Sequence, residues 1–202
     1  MVQIFNVSGV GTVHYELGID PRGRKLLAAG EVMQVLYAPE FEGQMPRDSQ
    51  FFVPEVVAYI PKGQYTVLVR GDVGNGLLKR LGKCKPLHLL KLSEKEGQHI
   101  LSLARENNGR AHIFRPNLEG RCHVESDEVA AHPTISWLLG EKGITAVSGD
   151  SFGIAGMPKS SITIYSQPVV RHIIVGPGYA MLGCGAHARI PSALYHSRPA
   201  QK

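Results

Sequence analysis

The chain is short of cysteine, of aromatic side chains and of long apolar runs, and each shortage closes off a class of protein. Its three cysteines are Cys84, Cys122 and Cys184. An odd number with no C-x-x-C spacing gives neither a disulfide framework nor a zinc ribbon, and it fits a reducing compartment. No stretch approaches the roughly 18 consecutive apolar residues of a membrane helix. The opening Met-Val-Gln-Ile-Phe-Asn-Val lacks the basic start and apolar run of a secretory leader. A soluble, cytoplasmic protein is expected. Aromatic residues make up 7% of the chain, so base stacking is secondary in any nucleic-acid contact.

What is present is enough to fold. Of 202 residues, 43% are hydrophobic, and the formal charge is +5. A pI near 9.2 favours an anionic partner such as nucleic acid. Residues 2–7 and 12–19 read as strands broken at Ser8-Gly9-Val10-Gly11. Asp20-Pro21 reads as a helix start, with Leu26, Leu27, Val32, Val35 and Leu36 as the buried side. Gly23 and Gly30 weaken that helix by roughly 1 kcal/mol each. Arg22, Arg24 and Lys25 crowd its first turn, where cations oppose the helix dipole unless a polyanion lies nearby.

A loop over 38–50 leads to a hairpin, 51–60 and 64–70, turned by Pro61-Lys62-Gly63. Next comes a segment in which Lys79, Arg80, Lys83, Lys85 and Lys91 interleave with leucines. Such a segment can press its leucines on a core while its cations face phosphates. Ser93-Glu94-Lys95-Glu96 is a capping box opening a helix that ends at Asn107-Asn108-Gly109, and 110–114 reads as a strand. The order β, α, β, β, α, β is that of a ferredoxin-like unit.

The polar segment 115–121 reads as a linker, dividing the chain into units at 1–115 and 122–202. Beyond it, 122–124 reads as a strand, Pro133 as the start of a helix ending at Gly140, and 144–147 as a strand. Towards the end, Ile162 and Ile164 alternate with polar residues as in a strand. Ser166 and Pro168 then open a helix with a Val169, Val170, Ile173, Ile174 stripe. Four glycines follow, Gly176, Gly178, Gly183 and Gly185, with a short strand over 186–190. Glycine lets another backbone or a phosphate approach closely.

Strand, capped helix and paired Gly-x-Gly near the C-terminus resemble the last part of the CRISPR-associated RAMP superfamily, especially its small endoribonucleases that cut repeat RNA. Gly-Pro-Gly-Tyr-Ala-Met-Leu-Gly-Cys-Gly is similar to that family's C-terminal glycine-rich loop, over about thirty residues. Family loops usually carry a cation between the glycine pairs. Here Tyr179, Ala180, Met181 and Leu182 stand there, which shifts phosphate binding to Arg171 and Arg189.

The resemblance implies an α+β protein, a ferredoxin-like, RNA-recognition-motif-like unit followed by a second, abbreviated unit. It implies CRISPR RNA as partner within a ribonucleoprotein of several subunits. RNA would lie on Arg22, Arg24, Lys25, Lys79, Arg80, Lys83, Lys85, Arg171, Arg189 and the four glycines. Metal-independent RNA cleavage needs a base, an acid and a cation, and no cofactor. The family's histidine lies on or beside the first helix. No histidine falls within 21–37, so His14 with Tyr15 is the nearest substitute, followed by His112, His132 and His172. A non-catalytic subunit capping the guide RNA 5′ handle is the alternative.

A different class is open at Gly149-Asp150-Ser151-Phe152-Gly153, which satisfies G-x-S-x-G. A serine hydrolase of the α/β type needs an acid after the serine, and no Asp or Glu follows Asp150. Turn chemistry explains the glycines better. Cys122, His123, Glu125, Asp127 and His132 are too irregularly spaced for a metal site.

Overall fold

A computed structural model describes residues 2–5, 26–39, 50–84, 89–183 and 192–196. Ten strands form one mixed sheet: β1 (Val2–Phe5), β2 (Phe51–Ile60), β3 (Tyr65–Val69), β4 (Leu90–Lys91), β5 (Ala111–Phe114), β6 (Arg121–Val124), β7 (Phe152–Ala155), β8 (Val169–Gly176), β9 (Tyr179–Leu182) and β10 (Ser192–His196). The main path runs β1-β10-β2-β8-β9-β7-β6, with β3 on β2, β5 on β3 and β4 on β8. The helices are α1 (Ala29–Leu36), α2 (Gly71–Leu81), α3 (Glu94–Arg105), α4 (Pro133–Ala146) and the single turn α5 (Lys159–Ile162).

The ferredoxin-like expectation is wrong. A self-contained βαββαβ unit pairs its own strands with one another. Here β1 pairs with β10 from the far end of the chain, and β2 pairs with β8 and β10. Strands from both sides of 115–121 join the same sheet. The chain is α+β, but built around one long sheet.

The centre of that sheet is buried on both faces. Along β2, Phe51, Val53, Val57 and Tyr59 enter a core with α1 and α4, while Phe52, Val56, Ala58 and Ile60 enter a second core with α2 and α3. A strand covered on both faces reads as a continuous apolar run rather than an alternation. The same fact corrects the expected helix after Ser166. Val169, Val170, Ile173, Ile174 and Val175 are β-branched, and they form β8 with side chains in both cores. The spacing i, i+1, i+4, i+5 fits a helical stripe and a doubly buried strand equally well. In place of the strand expected just before it, the turn α5 ends at Ile162, which is buried, and Ile164 beyond the turn is 72% exposed. The strand expected over 144–147 is the end of α4.

Three other local signals hold: the hairpin turn, the capping box and the helix start at Pro133. The β2/β3 hairpin turns at Pro61, whose carbonyl accepts from Gln64 N–H at 3.0 Å. At α3, Ser93 Oγ accepts from Glu96 N–H, and Glu96 Oε2 accepts from Ser93 N–H at 2.8 Å. Ser93 N–H and Ser93 Oγ–H, both donating to Glu96 Oε2, together with Arg80 hold the Glu96 carboxyl down at about 2. Pro133 begins α4, with His132 as N-cap.

Tyr59 joins three segments from inside the first core. Its hydroxyl donates to Leu182 C=O at 2.8 Å and accepts from Met157 N–H at 3.2 Å. Tyr59→Phe leaves both backbone groups without the phenol, at a cost of roughly 2 kcal/mol. Urea titration should show the lower midpoint with an unchanged slope.

Candidate ligand cleft

A bulge in β2 builds the most distinctive site. Phe52 faces Ile174 and Val56 faces His172, so β2 carries extra residues between them, among them Pro54 and Glu55. Proline has no N–H for the ladder, and a bulge re-aims the side chain beside it. Glu55 is 4% exposed and points to the start of α1. The N-cap of that helix is Ala28, which has no side-chain acceptor. Glu55 supplies one, accepting from Ala29 N–H at 3.3 Å through Oε2 and at 3.5 Å through Oε1. Glu31 reaches back to Ala28 N–H at 2.8 Å. Two carboxyls thus share one helix N-terminus, where negative charge is favoured.

Burial nevertheless pushes the Glu55 carboxyl up to about 7, and the nearby Glu31 charge adds to the rise. Its own backbone N–H, the Ala29 N–H and Arg70 work in the other direction. An acid inside a cleft that changes charge near neutrality is a candidate functional group.

Arg70 stands across from it, fixed at three points. Its Nε donates to Gly109 C=O and its Nη1 to Trp137 C=O, both at 2.7 Å, and its guanidinium lies 4.4 Å from the Trp137 ring centroid. Trp137 lies in the last turn before α4 breaks at Gly140, whose φ of 62° and ψ of 177° are non-helical. A cation on the Trp137 carbonyl complements the C-terminal end of the helical half. The break also opens the wall. The cleft holds about 480 Å³, between the starts of α1 and α2, the β2 bulge and the α4 break.

The α1/α4 crossing sets the cleft's width. A Cβ on Gly30 would collide with the Leu139 carbonyl, and one on Gly143 would come within 2.6 Å of Gly30 Cα. Backbones this close require glycine on both helices.

The residues expected to bind RNA fall elsewhere. Lys79 and Arg80 are exposed on the last turn of α2, with Lys83 just beyond, and Arg80 pairs with Glu96 at 2.7 Å. Arg171 lies on β8 beside Tyr59 and Gly183, on the sheet face opposite α2. The glycine loop is the β8/β9 hairpin. Gly176 pairs with Tyr179 around Pro177-Gly178, and Gly178 at φ 73° takes the second central position of a type II turn. Gly183 N–H returns to His172 C=O at 2.9 Å. His14, Tyr15, Arg22, Arg24, Lys25, Lys85, Gly185 and Arg189 lie outside the described residues.

The Gly149-to-Gly153 motif is a turn entering β7, locked to that hairpin by Gly153 N–H on Gly178 C=O at 2.8 Å. Tyr37 joins them, hydrogen-bonded to Asp150 and the Gly178 backbone. Burial first, then Asp150, raise its hydroxyl to about 12. Among the described residues, no histidine hydrogen-bonds to Ser151.

His112 sits 3.0 Å from Thr134 Oγ1 and stacks on Trp137. Burial, then His132, Arg70 and Arg115, keep its pKa low. His172 packs edge-on to Phe52. His132 Nε2 lies 3.2 Å from Cys122 Sγ, while its Nδ1 accepts from Ile135 N–H. That capping bond places the ring proton on Nε2, which donates to sulfur. Burial pushes the Cys122 thiol up, the reverse of nucleophile activation. Among the described residues there is no group of three or more His, Cys, Asp or Glu arranged for a metal ion. No described helix is long and apolar enough to cross a membrane.

Sequence reasoning overlooked Glu55. Its signal was available: Pro54-Glu55 is the one interruption in Phe-Phe-Val-Pro-Glu-Val-Val-Ala-Tyr-Ile, an otherwise apolar strand.

No family model matches the chain, and no curated protein does. A solved structure reported as "Accommodation of massive sequence variation in Nanoarchaeota by the C-type lectin fold" is similar across 96% of both chains, with a TM-score of 0.58 and 14% identity. At that identity the likeness is one of architecture: the chain resembles a C-type lectin fold, and the ferredoxin-like assignment is replaced by it.

Proposed function

We propose that this chain is a binding protein that takes a small polar ligand into the cleft over Glu55. The observation that carries the reading is a buried, ionisable carboxyl lining a cleft of about 480 Å³ with Arg70 on its wall. A concave site with a few convergent polar groups is the expected form of a small-molecule site. Binding is favoured over catalysis because Cys122 is held as a thiol and Ser151 has no histidine partner among the described residues. The Nanoarchaeota neighbour adds that this architecture accommodates massive sequence variation. On such a scaffold, function resides in the residues of the particular site.

A polar fragment library screened by amide NMR tests the reading. Shifts should cluster at Ala28, Gly30, Gly71, Asn75 and Gly140 and weaken in Glu55→Gln. A cleft that stays silent while other surfaces respond would overturn it.

The net charge of +5 favours an anionic partner, and a second reading is that this partner is RNA, CRISPR RNA as the sequence resemblance implies, bound with or without cleavage. Exposed Lys79 and Lys83 would contribute phosphate contacts. RNA retention that falls steeply with salt, and falls further in Lys79→Glu/Lys83→Glu, is its expected result. No RNA bound at low salt removes it.

A further inference from the structure

We infer, building on the cleft reading, that the ligand is a small zwitterion of the α-amino acid class, its ammonium on Glu55 and its carboxylate towards Arg70 and the start of α2. The argument is one of charge placement. The cleft is lined by Glu31, Glu55 and Glu141 and by Arg70 and Lys142, with the Asn75 amide beside them. A simple anion entering it meets three carboxyls, and a simple cation meets two positive charges, Arg70 and Lys142. A molecule bearing both signs on neighbouring atoms satisfies both walls.

The two halves of the site are built differently. Glu55 is buried, its bonds from Ala29 N–H are long, and its own backbone N–H is the other backbone donor that favours the charged carboxylate, so an ammonium can still take the remaining lone pairs. On the cationic side, Arg70 uses Nε and Nη1 on carbonyls, and Nη2 takes part in neither bond. Arg70 is also the N-cap of α2 and makes no side-chain capping bond there. The first N–H groups of that helix therefore have no side-chain acceptor at the N-cap. Next to them, the space around Gly71 is open for at least 4 Å. Asp72, in the same turn, lines the separate groove between α2 and α3.

An ammonium needs Glu55 ionised, so binding carries a pH signature. The charges facing Glu55 are Glu31 on α1, Arg70 at the head of α2, and Glu141 and Lys142 on α4. Below about pH 7 the carboxyl holds a proton that must leave before the ammonium binds. Affinity should then fall by about tenfold per pH unit.

The test is calorimetric titration with the free α-amino acids, each compared with its N-acetyl and methyl ester forms, from pH 5.5 to 8.5. At least one free amino acid should bind, with both blocked forms weaker by about tenfold or more. Glu55→Gln should lose a similar factor and the pH dependence, while Lys142→Glu should weaken binding and, by adding a like charge in the same cleft, move the pH profile upwards without abolishing it. Equal binding of blocked and free forms would overturn the zwitterion. So would a cleft that takes other fragments in the NMR screen but no amino acid, and in that case the cleft reading stands. A cleft silent to both removes the two together.

Discussion

Gly30→Ala is expected to cost about 3 kcal/mol or more, lowering the melting temperature by about 10 °C or leaving the protein insoluble. The new methyl collides with the Leu139 carbonyl, a backbone atom that moves only if α4 moves. Gly143→Ala meets Gly30 Cα from the other side and should behave alike. Gly76→Ala, inside α2 with open space around the added methyl, is the control. It removes an unfavourable helix residue and should stabilise by up to about 1 kcal/mol. Circular dichroism melts of the three variants check the contrast. Equal, mild effects would mean that α1 and α4 are not held at glycine distance.

Glu55→Gln should stabilise the protein above pH 7 and flatten its stability between about pH 4.5 and 7. The sign follows from the shift. The carboxyl titrates at about 7 when folded against 4.5 when exposed. Its contribution is full below pH 4.5, where both states are protonated, and it is lost as pH rises through 7. A shift of this size corresponds to about 3 kcal/mol at most. Glutamine keeps an acceptor for Ala29 N–H and has no charge to bury. His112, whose folded pKa is lowered, contributes in the opposite sense, its stability being lost as pH falls below its ordinary value. The Glu96 contribution is lost only in more acid solution, between 4.5 and about 2. Both are common to the two proteins, so the difference between wild type and variant isolates Glu55. Denaturant midpoints measured from pH 4 to 8.5 provide it, and parallel curves would contradict the assignment.

What was legible in the sequence was local. A capping box needs only Ser93 and Glu96, a helix start only Pro133, and a hairpin only the turn between two apolar runs. Each signal acts within a few residues, and each holds. The β8 strand was lost because β-branched residues spaced one and four apart satisfy two periodicities, and burial on both faces decides between them. Pro177-Gly178 was read as part of a phosphate loop, whereas the pairing of Gly176 with Tyr179 makes it a tight turn. Gly30 was read as a weakness in a helix because its partner Leu139 is more than a hundred residues away. The cleft was unreadable for the same reason: Glu31, Glu55, Arg70 and Lys142 belong to four separate stretches. Only the fold brings them together, and of the four only Glu55 announces itself, as an acid beside a proline in an apolar strand.

The pairing of β1 with β10, from Val2↔His196 to Phe5↔Ala193, has a consequence for synthesis. A growing chain emerges from the ribosome with its first strand made and the partner of that strand still untranslated. Until residue 196 has cleared the exit tunnel, β1 lacks its β10 partner and its backbone is open to others. This edge of the sheet therefore forms only after residue 196 has been made, and closing so long a loop makes this a slow step of folding.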